Sequence, residues 1–157
     1  MATEIERKFL VHDTGFLRSL TGEQVVQAYL SSKEEATVRI RIIDTQAWLA
    51  VKGKNRGMSR AEYEYRIPLA DARELLKLCE KGRIEKRRYR IAYGLHIWEV
   101  DVFHGDNEGL VVAEVELRNE KEEPDLPGWV GREVTGDARY YNSALARHPY
   151  RDWGKTR

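Results

Sequence analysis

A single cysteine, Cys79, is too few for an internal disulfide framework and fits a reducing compartment. No apolar run approaches the roughly 18 residues that a membrane span needs, and no charged-then-apolar leader opens the chain. Neither sign of charge prevails: 27 lysines and arginines stand against 26 aspartates and glutamates, so no long-range field would gather nucleic acid or an anionic membrane. The four histidines, His12, His96, His104 and His148, lack ligand spacing, which argues against a histidine-based metal centre. The stretch Gly53-Lys54-Asn55-Arg56-Gly57 lacks the spacing of a Walker loop and reads as a solvated hairpin turn. Repeats, low-complexity tracts and linkers are missing too, so residues 1–157 are expected to form one domain, in the cytoplasm.

What the chain has in quantity is charge set in alternation. In Glu4-Ile5-Glu6-Arg7-Lys8 an extended backbone puts residues 4, 6 and 8 on one face, about 7 Å apart, with Ile5, Arg7 and Phe9 on the other. A helix would scatter them. Two acids and a base on one face are costly in an ordinary core, where each unpaired charge loses its hydration. They suit a polyanion held by divalent metal.

The same period recurs along the chain. After residues 3–11, the segments 23–32 and 35–43 read as strands, the second with Val38, Ile40 and Ile42 against Arg39 and Arg41. Residues 46–53 follow a turn at Asp44-Thr45 and carry Lys52 opposite Leu49 and Val51. Residues 58–67 set Glu62 and Glu64 against Tyr63, Tyr65 and Ile67. Residues 83–93 and 95–104 read as a hairpin around Gly94, with Lys86, Arg88 and Arg90 on one face and Glu99 and Asp101 on one face of its partner. Lys86-Arg87-Arg88 permits two registers, and the one adopted groups Arg87, Tyr89 and Ile91 on the outer face. Residues 110–118 close the series with Glu114 and Glu116 against Ala113, Val115 and Leu117.

Three helices are expected. A short one follows His12-Asp13-Thr14, and Asp71 caps another through residue 81, with Ala72, Leu75, Leu76 and Cys79 on its packing stripe. Cys79 therefore reads as a core residue rather than a nucleophile. Residues 119–129 read as a surface loop, after which Asp137 caps a helix of residues 138–147 whose Tyr141, Ala144, Leu145 and His148 share a stripe.

The fold class follows from the strands taken together: α+β, mainly antiparallel β. One strand with a charged face is an ordinary wet strand. Seven such strands, with acids in i, i+2 pairs and bases grouped on separate strands, read as a closed eight-stranded barrel with a charged interior and room for one small ligand. The apolar face is then outside, with the helices and a homodimer partner as its covers.

The ordered set Glu4-x-Glu6-x-Lys8, Arg39-x-Arg41, Lys52, Glu62-x-Glu64, Lys86-x-Arg88 and Glu114-x-Glu116 resembles the CYTH superfamily, the triphosphate tunnel metalloenzymes. Glu133-Val134-Thr135 and Tyr141-Asn142 continue the likeness, which thus spans nearly the whole chain. It implies a closed antiparallel tunnel that hydrolyses or cyclises triphosphate compounds with Mg²⁺ or Mn²⁺, most nearly like the short bacterial inorganic triphosphatases. The residue types agree with this independently. Arg39, Arg41 and Arg88 offer forked donors to phosphate oxygens, and Lys8, Lys52 and Lys86 add point charges. Glu4, Glu6, Glu62, Glu64, Glu114 and Glu116 offer the hard oxygens that Mg²⁺ and Mn²⁺ prefer. The resemblance also favours an acid from the strand holding Glu99 and Asp101, and Asp101 is taken as the candidate ligand.

The expected reaction cleaves tripolyphosphate to pyrophosphate and phosphate, with weak nucleoside triphosphatase activity beside it. Glu4, Glu6, Lys8 and Lys52 are the catalytic candidates. In the scheme considered, one metal held by Glu114 and Glu116 bridges phosphate oxygens, while a second near Glu4, Glu6, Glu62 and Glu64 activates the attacking water. A one-metal scheme, with a lysine or carboxylate guiding the water, stays open. So do three other functions. A class IV type adenylate cyclase would need base and ribose recognition, for which no segment stands out. Thiamine triphosphatase shares the motif, and a non-catalytic phosphate-polymer binder could dispense with the glutamate pairs that this chain keeps. The expected partner is a small triphosphate, not nucleic acid or membrane.

Overall fold

The computed structural model describes residues 3–155. Nine strands, β1 (Thr3–Val11), β2 (Glu23–Ser32), β3 (Ala36–Ile43), β4 (Gln46–Gly53), β5 (Ser59–Ile67), β6 (Ile84–Tyr93), β7 (His96–Phe103), β8 (Val111–Glu116) and β9 (Val130–Glu133), are joined by turns and two α-helices. Helix α1 (Leu69–Leu76) follows β5, and α2 (Asn142–Arg147) follows β9. No helix among the described residues is long and apolar enough to cross a membrane.

Eight strands close a ring in the order β5-β4-β3-β2-β6-β7-β8-β1. Every pair is antiparallel, and the ring shuts through three residue pairs of β1 and β5, Thr3↔Ala61, Glu4↔Arg60 and Ile5↔Ser59. The ninth strand, β9, pairs with the far half of β1 (Phe9↔Glu133, Val11↔Val130), so β5 and β9 share one edge of β1. At the seam between them the side chain of Thr135 replaces a strand partner: its Oγ1 accepts the Lys8 N–H at 2.9 Å.

Residues opposite one another in a ladder share a face, and this carries the charged set around the barrel. Lys8 pairs with Glu114, Glu114 with Glu99, and Glu99 with Arg90. On the other side Lys52 pairs with Thr37 and Glu62. The period-two pattern thus becomes one inward-facing charged wall.

The apolar residues divide into three cores. One lies outside the barrel, where Phe9, Trp98, Val100, Ala113 and Val115 are covered by Leu17 of the 3-10 turn Gly15–Ser19 and by Trp129, which stacks on Phe16 at 4.7 Å. A second is outside beneath α1, whose Ala72 packs on Ile40 and Ala47 with Leu75, Leu76 and Cys79 alongside. The third is inside. Tyr29, Ile84, Phe103, Leu110 and Val112 pack with Val134, Tyr140 and Leu145 of the C-terminal segment.

This inner core corrects the expectation of an apolar side that lies wholly outside. The inward face changes polarity along each strand: Lys8 gives way to Leu10, Lys86 to Ile84, Asp101 to Phe103 and Glu114 to Val112. Helix α2 does not cover the side of the barrel alone, because its Leu145 joins this plug.

Other expected elements differ in detail. Helix α1 begins after Pro68, not at Asp71, and ends at Leu76, not at residue 81. Asp71 falls in the first turn, where its charge favours the helix N-terminus, while Glu80 N donates to Tyr29 O at 2.8 Å and pulls the following residues onto β2. The C-terminal helix splits. Asp137 caps a 3-10 turn, Ala138–Tyr140, accepting from Arg139 N at 3.1 Å, and Tyr141 is extended before α2 starts. Strand β9 was not foreseen, since four residues after a proline-bearing loop are too short to display a period.

Candidate active site

The barrel encloses a cavity of about 190 Å³. Strand β1 contributes Glu4, Glu6 and Lys8; β3 contributes Arg39 and Arg41; β4 contributes Lys52. Glu62 and Glu64 enter from β5, Arg88 from β6 and Glu114 from β8. All of these sequence-derived candidates therefore meet in one enclosure.

Their charges compensate one another in short pairs. Lys52 Nζ lies 3.2 Å from Glu4 Oε1 and 3.3 Å from Glu62 Oε2. One oxygen of Glu64 serves both arginines of β3, Arg39 at 3.2 Å and Arg41 at 2.9 Å. Lys8 Nζ donates to the Tyr140 carbonyl at 3.2 Å and stands 5.7 Å from the centre of the Tyr141 ring. The Nε atoms of Arg39 and Arg41 are buried and have no acceptor among the described residues. A buried donor without a partner costs free energy, so these two nitrogens mark where an anion's oxygens would be bound most strongly. Burial, with Arg39 and Arg88 nearby, lowers the Arg41 pKa to about 10, which leaves it charged at neutral pH.

The CYTH domain family model matches residues 2–144. The chain belongs to the CYTH family. It is 46% identical over 154 residues to an inorganic triphosphatase of Acetivibrio thermocellus, spanning 98% of this chain and 99% of that one. Over 151 residues it is 37% identical to an inorganic triphosphatase of Nitrosomonas europaea, with 92% and 97% of the two chains covered. A crystal structure of an inorganic triphosphatase aligns with a TM-score of 0.64 at 34% identity, over 90% of this chain and 96% of that one. A protein of Pyrococcus horikoshii shares the fold at 19% identity and a TM-score of 0.55, over 74% and 80% of the chains.

Within the CYTH cavity two carboxylates are in unusual states. Burial and the neighbouring Glu114 and Glu4 raise the pKa of Glu6 well above the ordinary range. Burial alone would raise Glu114 as well, but Lys8, the hydrogen bond from Glu6 and Arg88 outweigh it and hold Glu114 ionised. The two carboxyls titrate as a pair, with Glu6 pushed toward its protonated form and Glu114 toward its ionised form. Two hard carboxylates held together around a proton are a fitting place for a divalent cation, which would replace that proton. Among the described residues no three acidic, histidine or cysteine side chains form a ready metal cage. Mg²⁺ needs none, since it uses one or two carboxylates and fills its other positions with water and substrate phosphate.

Three expected site residues do not line the cavity. Lys86 and Asp101 are 2% and 1% exposed and lie beneath its floor, with Lys86 Nζ 2.9 Å from Asp101 Oδ2 and 3.0 Å from Asn142 Oδ1. Burial lowers the Lys86 pKa to about 8, against the pull of Asp101. Asp101 also accepts both arms of Arg88, at 2.8 and 2.9 Å. Lys86, expected on phosphate, and Asp101, expected on metal, thus form a buried pair that holds the Arg88 fork, which does reach the cavity. Glu116, opposite Glu6 in register, is exposed at the rim beside Arg90 and Glu99. Glu4, Glu62 and Glu99, after burial, raise its pKa.

Other lining residues were not among the chosen candidates, although the alternation places Arg90 on the charged face and leaves Glu99 open beside Asp101. Arg60 and Arg90 continue the inward parity of Glu62 and Arg88, and Glu99 that of Asp101, so the signal for them was present in the alternation. Asn55 had no such signal. Its loop, expected to be a solvated turn, folds over the cavity, and Asn55 Nδ2 donates to the Tyr141 hydroxyl at 2.5 Å.

Proposed function

We propose that this CYTH protein hydrolyses inorganic triphosphate to pyrophosphate and phosphate, with Mg²⁺ or Mn²⁺ as the cofactor. The observation that carries the reading is the pair of buried, acceptor-free Nε donors on Arg39 and Arg41 in a cavity about the size of a short phosphate chain. The kinship with inorganic triphosphatases over the full length supports it.

Glu6 and Glu114, with Glu4, Glu62, Glu64 and rim-placed Glu116 around them, would hold the cation. When bound, such a cation neutralises phosphate charge and makes water more acidic. Arg39, Arg41 and Arg88 grip the chain from both walls, and Lys8 and Lys52 stabilise the charge that builds on the leaving pyrophosphate. Glu4, freed from Lys52 when that lysine turns to phosphate, orients the attacking water. The oxygen of water bonds to the terminal phosphorus as the bridging bond breaks, and the water proton passes to solvent. The protein acts in the cytoplasm, in keeping with the one free thiol of Cys79.

The deciding experiment offers the purified protein triphosphate, pyrophosphate, ATP and thiamine triphosphate, each with and without Mg²⁺ or Mn²⁺. The expected result is metal-dependent phosphate release from inorganic triphosphate. Cyclic AMP as the main product of ATP would overturn the reading in favour of a cyclase, and inertness toward every substrate would favour a binding module.

A further inference from the structure

Where the cavity meets its floor, one neutral amide is fixed in direction by the residues beneath it. Asn142, the first residue of α2, is half-buried and lines the cavity. Its Oδ1 accepts from Lys86 Nζ at 3.0 Å and from Gln27 Nε2 at 3.0 Å. A lysine ammonium has only donors, so the Asn142 atom that faces it is the oxygen, and Nδ2 is turned away. Gln27 is fixed in turn. It is fully buried on β2, and its Nε2 serves Asn142 and, at 3.3 Å, the Tyr29 hydroxyl, while its own Oε1 is left with no partner among the described residues. An unpaired buried acceptor costs free energy, and the fold keeps it in the arrangement that pins the Asn142 amide from two sides. Among the described residues Asn142 Nδ2 has no acceptor, yet it is not one of the buried unpaired atoms, so it opens on the cavity.

We propose that Asn142 is a substrate-binding residue whose Nδ2 donates to a phosphate oxygen at the closed end of the cavity, with Lys86 and Gln27 as the positioning residues that aim it. The proposal rests on the triphosphatase reading of the cavity. Lys8, Lys52, Arg39 and Arg41 are charged donors already engaged by a carbonyl or by carboxylates, so each exchanges a partner when phosphate arrives. Asn142 has none to give up. Its amide adds no charge, and it is held still before the substrate enters, so it sets how deep the phosphate chain sits instead of neutralising it. Lys86 thereby reaches the substrate at second hand: it contributes through the oxygen of an amide whose other end meets phosphate. No bond of the substrate is made or broken by Asn142.

The test measures the Kd of inorganic triphosphate for metal-free protein by calorimetry, then kcat and KM with Mg²⁺, for the wild type, Asn142→Ala, Asn142→Asp and Gln27→Leu, with a thermal melt of each. Asn142→Ala should raise Kd and KM about tenfold, the scale of one hydrogen bond to a charged group. Asn142→Asp should raise them further, by about a hundredfold, because it keeps an oxygen on Lys86 and turns a second, anionic oxygen toward phosphate. Gln27→Leu should raise both by a smaller factor while the melting temperature holds or rises, since the unpaired Oε1 is gone. If Asn142 serves only to tie down Lys86, Asn142→Asp keeps that tie and behaves as wild type while Asn142→Ala loses stability, which overturns the proposal. So does an Asn142→Ala protein with wild-type Kd and KM beside a weakened Asn142→Asp, because added charge alone is then at work. The triphosphatase reading fails separately, as a wild type that binds inorganic triphosphate without cleaving it, and the Kd series still decides for or against Asn142. A wild type that does not bind it removes both.

Discussion

Lys52 and Lys86 both point into the barrel and both lie within 3.3 Å of a carboxylate, yet only Lys52 lines the cavity. Around Lys86 the charges are shared: Asp101 bonds Lys86 and two nitrogens of Arg88, whose remaining face reaches the cavity, and Asn142 takes a further lysine proton. Around Lys52, Arg39 and Arg41 the contacts fall on single carboxylate oxygens, and the arginine Nε atoms remain without acceptors. The first group is finished as folded. The second is compensated enough to fold and incomplete enough to exchange its partners for phosphate oxygens. Charge on an inward face thus divides into framework and binding surface according to how fully the fold satisfies it.

The sharpest way to break this comparison is to truncate each group and see which property fails. Arg41→Ala or Glu6→Ala should lower triphosphate kcat/KM by at least about a thousandfold, the scale for losing one charge-stabilising group in an enclosed site. Circular dichroism and the melting temperature should stay near wild type. Asp101→Ala should lower stability as well as loosen the Arg88 fork. Leaving Lys86 and Arg88 buried without their acid costs about 3–5 kcal/mol, read as a lower denaturant midpoint. Glu62→Ala, at the less buried pair with Lys52, should cost only about 1 kcal/mol or less. Equal destabilisation by the two would erase the distinction.

Smaller effects sharpen it. Thr135 fixes the Lys8 backbone at the seam, so Thr135→Val should lower kcat about tenfold, or ~1.4 kcal/mol, with Thr135→Ser restoring it. The smallest effect concerns pH. Glu6 keeps its proton above the ordinary value of 4.5, so the folded state binds more protons than the unfolded one there. Its contribution to stability is full below that value and is lost as pH rises through the raised pKa. Metal-free protein should therefore melt with a downward pH trend above 4.5 that Glu6→Gln flattens.

The eight long strands were legible because alternation is a local property of extended backbone, repeated in Arg39-x-Arg41, Glu62-x-Glu64 and Glu114-x-Glu116. Helix ends were less so. The 138–147 segment reads as one helix on its apolar stripe, but Tyr141 leaves that path to meet Asn55 of a distant loop. No pattern within either segment encodes that meeting. Asn55 and Thr135 belong to the candidate site by the same kind of long-range contact.

The amino-acid order by itself determined which side chains face inward, since covalent geometry sends successive residues to opposite sides of a strand. Depth along that inward face was decided only by the closed barrel. The stagger of eight strands, and the C-terminal segment packed into one end, put Lys86 and Asp101 under the floor, Glu116 at the rim and Arg41 on the wall. Those three fates differ in access to water and to substrate, which neighbours from other strands control.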